Sequence, residues 1–273
     1  MEWVQNKHRV ARFVRELARH RARPDDVYIS SYPRSGTTWL QLLVHLVRGG
    51  ELTFEHIAEV VPWFERPLAL GRTTAAQYAR MTGPRTFKSH LPYAWLPRGG
   101  RYVYVHRDGR DVAVSYYHFY RSHLGFQGSF EAFYALFLQG ALQHGSWFRH
   151  VSDWRRRADQ ANVCVLSYEA LQRDPEPALH ALALLCQVTL SPPRVRTILD
   201  CSSFAAMKRL EDKFDHARAE TSSRVASGAF VRSGRVGEHV EVLSEPQQRS
   251  FELTMRTHGT RRLPELRLSP FLR

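Results

Sequence analysis

The sequence predicts an α/β fold in which strands alternate with helices and the strand ends share one rim. A β-prone run, Val27-Tyr28-Ile29-Ser30-Ser31, passes through a tight turn into the apolar stretch Leu40 to Val47. The same strand, loop, helix order returns between Arg101 and Tyr120. Third, 273 residues with 43% apolar content can bury one large core, and open α/β sheets bind ligands at the carboxyl ends of their strands.

Taken in chain order, Val10, Phe13, Val14 and Leu17 form an apolar stripe along residues 8–19, with arginines between them. This pattern predicts a helix packed on the core with a basic solvated face. After the first strand, Tyr32-Pro33-Arg34-Ser35-Gly36-Thr37-Thr38-Trp39 supplies a turn and a helix start. The first amides of a helix lack intrahelical partners, so such a turn is an anion cradle. Ser35, Thr37 and Thr38 add hydroxyls and Arg34 adds a cation. The turn is not a Walker A loop, which needs Gly-x-x-x-x-Gly-Lys-[Ser/Thr]. No acidic residue closes a hydrophobic strand as a magnesium ligand would, so cationic side chains, not a metal, are expected to meet the ligand's charge.

Phe87-Lys88-Ser89-His90 ends another β-prone piece. Residues two apart in an extended segment share a face, which sets Lys88 beside His90. A neutral imidazole next to a bound anion can take a proton from an attacking hydroxyl, and a neighbouring lysine can stabilise the transferred group. Tyr102-Val103-Tyr104-Val105 then runs into His106-Arg107, placing Arg107 on the rim with the Arg34 turn. With Asp111 as the cap of the following helix, Ser115 lies about one turn further in and shares an anion with Arg107. For Asp108, Arg110 and Asp111 the plain alternative is a solvated loop with a local ion pair, and Arg110 reads that way. Residues 151–160 and 174–190 read as helices, the second starting at Asp174-Pro175.

These motifs resemble the cytosolic sulfotransferase family, over the span Val27 to Gly259. The resemblance implies a single P-loop-like domain over residues 1–273, a central parallel sheet flanked by helices on both faces, and an N-terminal helix (1–23) packed on it. It implies 3′-phosphoadenosine 5′-phosphosulfate (PAPS) as donor and PAP as product, without a metal. By this resemblance Arg34 to Trp39 hold the 5′-phosphosulfate. Arg107 and Ser115 hold the 3′-phosphate, together with the clamp Phe230, Arg232, Ser233 and Gly234. Tyr168, Ser202, Phe204 and Met207 form the adenine pocket. His90 is the base, assisted by Lys88 and Arg34. Two positions depart from the pattern: Arg34 and Ser233 stand where lysines are usual. A guanidinium does not deprotonate in proteins, so Arg34 is not a proton donor to the leaving phosphate.

For the acceptor, Trp63, Phe64, Tyr93 and Trp147 are the expected walls, with Lys88 and His90, of a mostly apolar pocket for a phenol, an alcohol or a small hydrophobic amine. Relative to phenol-sulfating members of the family, the loop Arg121 to Ser129 is short. Residues 212–228 read as a lid that orders over nucleotide. Alternatives are a nucleotide-binding relative with little activity and a small-molecule kinase.

The formal net charge of +13 has a sufficient use in attracting an anionic cofactor, so no specific nucleic-acid partner is expected. No apolar run approaches the ~18 to 20 residues needed to span a bilayer, and the N-terminus does not read as a secretory signal. Three cysteines without Cys-x-x-Cys spacing indicate neither disulfides nor zinc. The expectation is a cytoplasmic protein, monomeric or homodimeric, with a small-molecule acceptor.

Overall fold

In the computed structural model of the chain, residues 6–215, 230–259 and 266–268 are described. Five strands form one sheet: β1 (Val27–Ser30), β2 (Thr86–Ser89), β3 (Arg101–His106), β4 (Val163–Ser167) and β5 (Leu266–Leu268), in spatial order β2-β1-β3-β4-β5. The first four are parallel, as expected, and β5 adds an antiparallel edge to β4 that the sequence pattern did not announce. Parallel strands are covered on both faces, hence their nearly continuous apolar character.

Period-two alternation divides the side chains cleanly between the faces. Tyr28, Phe87, Tyr102, Tyr104, Val163 and Val165 belong to one core cluster, and Val27, Ile29, Val103, Val105, Cys164 and Leu166 to the other. The first is an aromatic layer. Register sets Tyr28 opposite both Phe87 and Tyr102, and its ring stacks with theirs at 5.3 and 5.8 Å. The second is aliphatic and is closed by α2 (Thr37–Val47), α9 (Glu176–Cys186) and α10 (Pro192–Ser202). Helix α7 (Trp147–Arg155) covers the aromatic side, with Trp154 stacked 4.7 Å from Tyr104. The two helices expected over 151–160 and 174–190 are thus α7 and α9, with shifted bounds.

Helix α1 (Lys7–Arg19) buries Phe13 against Phe64 as the stripe predicts, but Val14 is 42% exposed and Glu16 is buried in its stead. The Glu16 carboxylate accepts a hydrogen bond from the amide of Ala75 at 3.0 Å, at the first residue of α4 (Ala75–Arg80). That bond, with Arg19 and Arg15 nearby, holds its pKa below the usual carboxylate value despite burial. Of the expected lid, Phe214 is buried in the aliphatic core, and residues 216–228 lie outside the described residues.

A buried ion pair ties the start of the sheet together. Asp26 and Arg85, immediately before β1 and β2, meet through Nε and Oδ1 at 2.6 Å and through a second contact between Nη2 and Oδ2. Arg85 also donates to the carbonyls of Tyr78 and Arg21, and the Arg23 amide donates to Asp26. Removing one member strands the other charge, which typically costs about 3–5 kcal/mol. Asp26→Asn is expected to lower urea-unfolding stability by about that amount, and Arg85→Leu added to it to restore part of the loss; an Asp26→Asn cost under ~1 kcal/mol would show the pair is dispensable.

Candidate active site

The carboxyl ends of β1, β2, β3 and β4 deliver their following residues to one cavity of about 670 Å3. The β1 turn contains two left-handed residues, Arg34 (φ 68°) and Gly36 (φ 96°). A non-glycine residue there is strained by about 1–2 kcal/mol. It is held by Arg107, whose Nη1 donates to the Arg34 carbonyl at 3.3 Å. Gly36 is required on both counts: its φ is positive, and a Cβ would lie 2.7 Å from the Tyr168 ring. No side chain caps α2 at Gly36, so the first amides of the helix are left for a ligand. Thr37 and Thr38 line the cavity, although the Thr37 hydroxyl is engaged by Ser31. Ser35 does not line it; its hydroxyl is fully buried beside the turn without a hydrogen-bond partner among the described residues.

Three guanidinium groups converge at one end. Arg34 Nε donates to Ser115 Oγ and its Nη2 to the Phe230 carbonyl, both at 3.2 Å, and its plane lies 5.1 Å from the Phe119 ring and 5.3 Å from that of Phe230. Arg107 packs 4.6 Å over Tyr168 and donates to the Arg235 carbonyl at 2.7 Å; its buried Nε has no partner among the described residues. Arg232 pairs with Glu238. Burial, then Arg107 and Arg232, pull the Arg34 pKa down to about 10, so the group stays charged at neutral pH while its neighbours repel it. A bound anion relieves that repulsion.

Helix α5 (Gly109–Leu124) carries Ser115 into the cavity, but its cap differs from expectation. Asp108 is the N-cap, accepting from the Arg110 amide at 2.9 Å while pairing with the Arg110 side chain. Asp111 is neither cap nor solvated. It is buried and accepts from the amides of Gly237 and His239 and from His239 Nδ1 at 2.7–3.0 Å, with Arg107 3.9 Å away. Burial works to raise its pKa, but the His239 side chain, these amides and Arg107 together hold it below the ordinary carboxylate range. Asp111 thereby anchors the 232–239 segment to the helix behind Arg107.

Helix α8 (Tyr168–Arg173) opens on Tyr168, whose hydroxyl donates to the Gly234 carbonyl at 2.9 Å. Trp39, Ser202, Phe204 and Met207 line the cavity around it, as do Phe230, Arg232, Ser233 and Gly234. The Ser202 hydroxyl is spent on the Ile198 carbonyl.

At the other end, β2 presents Lys88 and His90. The His90 ring hydrogen-bonds to the Ser31 carbonyl through Nδ1 at 2.9 Å. A carbonyl only accepts, so Nδ1 carries the proton and Nε2 is the free base. Burial, then Lys88 and His144, push the His90 pKa well below the ordinary imidazole value. Its amide donates to Glu65 at 2.8 Å, a fully buried carboxylate at the start of α3 (Glu65–Leu70) whose pKa burial raises. Trp63 flanks the pair, its ring 5.2 Å from His90 and 4.1 Å from Lys88 Nζ.

Three expected acceptor walls are elsewhere. Phe64 is buried against Phe13, Tyr28 and Tyr78; Tyr93 donates to Gln160 and packs on Trp154; Trp147 packs on Phe251. The cavity is lined instead by Arg66, Tyr116, Phe119, His123, Leu124, Gln143 and His144, of which Tyr116 and Phe119 belong to the aromatic run Tyr116 to Tyr120 of α5. His144 stands three residues before Trp147, with the left-handed Gly145 between them, and the two side chains lie in different environments.

The fold and site define an α/β protein with an anion-binding end built on the β1 turn and a buried imidazole at the other end of the same cavity. The family model described as Sulfotransferase domain matches residues 24–263. Sulfotransferase 4A1 of Mus musculus is 32% identical over 87% of this chain and 81% of its own length, and Sulfotransferase 1A1 of Bos taurus 33% over 84% and 81%. A mouse sulfotransferase, SULT7A1, solved in complex with PAP, superposes with a TM-score of 0.75 at 25% identity, covering 93% of this chain and 90% of that one. Retinol dehydratase, solved with androsterone and inactive cofactor PAP, shares the fold at a TM-score of 0.81 and 23% identity, covering 93% and 88%. The chain belongs to the sulfotransferase family and is a PAPS-dependent sulfotransferase, which removes the kinase alternative.

Four imidazoles, three of them buried and His144 partly so, make stability depend on pH. Burial lowers His20 to about 4, His144 to about 3 and His150 to about 4, and His90 is lowered in the same direction. The unfolded chain takes up these protons near pH ~6.5 while the folded one does not, so stability rises with pH across that window. Glu65, raised by burial, acts oppositely but is one group against four. The urea midpoint is expected to fall steadily from pH 7 to pH 5; an unchanged midpoint would mean that the imidazoles are protonated in place.

Proposed function

We propose that the chain transfers the sulfuryl group of PAPS to a hydroxyl, or an amine, of a small acceptor in the cytoplasm, with His90 as general base. The observation that carries this reading is the His90 tautomer: Nδ1 is committed to Ser31, which leaves Nε2 unprotonated in a buried ring that lines the cavity. Among the described residues no helix is long and apolar enough to cross a membrane.

PAPS, when bound, supplies an already activated sulfuryl group. The uncapped start of α2 and the Thr38 hydroxyl hold its 5′ end. Arg107, Ser115 and Arg232 hold the 3′-phosphate, and Arg34 joins them because its fork already lies on Ser115. Arg34 thus takes up charge that Ser233, standing where a lysine is usual, does not provide. Trp39, Tyr168, Phe204 and Met207 enclose the adenine. Lys88 stabilises the negative charge of the sulfuryl oxygens in a site where partial exclusion of water strengthens each interaction. His90 takes the acceptor proton at Nε2.

Thermal unfolding should shift upward with PAP or PAPS but little with ATP and magnesium, since only a ligand of the folded state raises the midpoint. His90→Ala is expected to keep the PAP shift while losing transfer by at least about a hundredfold; retention of most activity would remove the base role. Arg34→Ala is expected to weaken PAP about tenfold and adenosine 5′-monophosphate much less. Equal losses for the two nucleotides would place Arg34 away from the 3′-phosphate.

A further inference from the structure

The base has a second imidazole beside it to which the steps above give no task. His144 lines the cavity, and its ring centre stands 5.2 Å from that of His90, the two planes at 72°. Rings at that distance leave room for one ligand atom within hydrogen-bond reach of both. Trp63 also packs edge to face on His90, 5.2 Å away, with Lys88 Nζ 4.1 Å from the same indole. Among the described residues neither ring nitrogen of His144 makes a hydrogen bond.

The turn that carries His144 is fixed on both sides of it. The Tyr32 hydroxyl donates to the Gly145 carbonyl at 2.9 Å, the Gln143 amide donates to the Tyr120 hydroxyl at 3.3 Å, and Ser146 caps α7 through the Arg149 amide. The ring is thus held at the cavity wall by its backbone, not by a partner of its own. Burial, then His150 and Lys88, hold its pKa down at about 3, so at neutral pH it presents one N–H and one bare nitrogen. An acceptor that fills this end displaces water from the ring, and a polar group left unpaired by a ligand lowers that ligand's affinity.

We propose that the acceptor's reacting atom lies between the two imidazoles, giving its proton to His90 Nε2 and hydrogen-bonding to His144, a second catalytic residue. In a hydroxyl acceptor one oxygen lone pair forms the bond to sulfur as the bond from sulfur to the bridging phosphate oxygen breaks, and that oxygen keeps the electron pair. The proton passes to His90, and the second lone pair accepts the His144 N–H. A primary amine spends its lone pair on sulfur and one hydrogen on His90, and its remaining N–H donates to His144 in the other tautomer. A secondary amine has nothing left for His144. The acceptor class thereby narrows to hydroxyls and primary amines. This inference rests on the sulfuryl-transfer reading above, with His90 as base, and refines its acceptor.

The test compares 4-methylphenol with N-methylaniline, acceptors of similar size, in the full chain and in His144→Phe, which keeps a ring and removes both nitrogens. For the phenol kcat/KM is expected to fall about five- to tenfold, the size of one hydrogen bond, while that of the amine changes less than about twofold. The PAP thermal shift should be retained. His144→Asn or His144→Gln, whose amides reach toward the Nδ1 and Nε2 positions, is expected to recover most of the phenol's rate. An unchanged phenol rate, equal losses for the two acceptors, or a loss that neither amide recovers would make His144 a packing residue and overturn the proposal. If N-methylaniline alone gives no product, the phenol's loss and its recovery by an amide decide. Calorimetric titration of 4-methylphenol into the PAP complex reads the same contact without turnover: weaker binding in His144→Phe sustains it, and equal or absent binding rejects it. If neither acceptor is sulfonated, the transfer reading is at fault, and the titration decides separately. Should His144→Phe fail to fold, His144→Leu takes its place.

Discussion

The register of β1 between β2 and β3 is the constraint on which the site depends. Tyr28 faces both Phe87 and Tyr102, and its ring stacks on each. A one-residue slip of any of these strands would move its aromatic residue into the aliphatic layer and turn its chemical residues away from the rim. In this register Ser31 and His90 leave their strands side by side, and Arg107 leaves β3 two residues further along. The imidazole can then be oriented by a backbone carbonyl of the neighbouring strand, a partner that cannot change its protonation state. Asp26 and Arg85 fix the opposite ends of the same strands, so the register is specified at both ends.

Burial gives the catalytic end its character. Lys88, His90 and Glu65 are all withdrawn from water, and the basicity of the imidazole falls because burial disfavours its charged form and Lys88 stands beside it. A base held neutral is available over a wide pH range but is intrinsically weaker, so Lys88, by easing charge on the transferred group, complements what His90 gives up. At the donor end Arg34, Arg107 and Arg232 repel one another within a network of carbonyl acceptors, which favours occupation by an anion over the empty state.

Short-range pattern made much of this legible in the sequence. The turn at Arg34–Trp39, the spacing of Lys88 and His90, and the strand before Arg107 are local features, and all of these residues except Ser35 come to the cavity. The acceptor walls were not legible, because an aromatic side chain has the same appearance in a core as in a pocket. Phe64 and Trp63 are adjacent, yet one is sealed beneath the sheet and the other faces the cavity. Asp111 shows a second limit. Three residues after Asp108 it looks like a helix cap, but its partners, Gly237 and His239, lie more than a hundred residues away. Arg66 and His144 carried no motif at all.

Two glycines at the donor end are matched to two rings. A Cβ at Gly36 would come within 2.7 Å of the Tyr168 ring, and one at Gly234 within 2.7 Å of Phe204, while the Tyr168 hydroxyl itself holds Gly234. The space absent from one partner is the space filled by the other. Substitutions at these four positions are therefore coupled, and the effect of changing two will not equal the sum of changing each. Evolutionary drift through this part of the sequence is confined to concerted moves, and left-handed backbone at both glycines narrows even those.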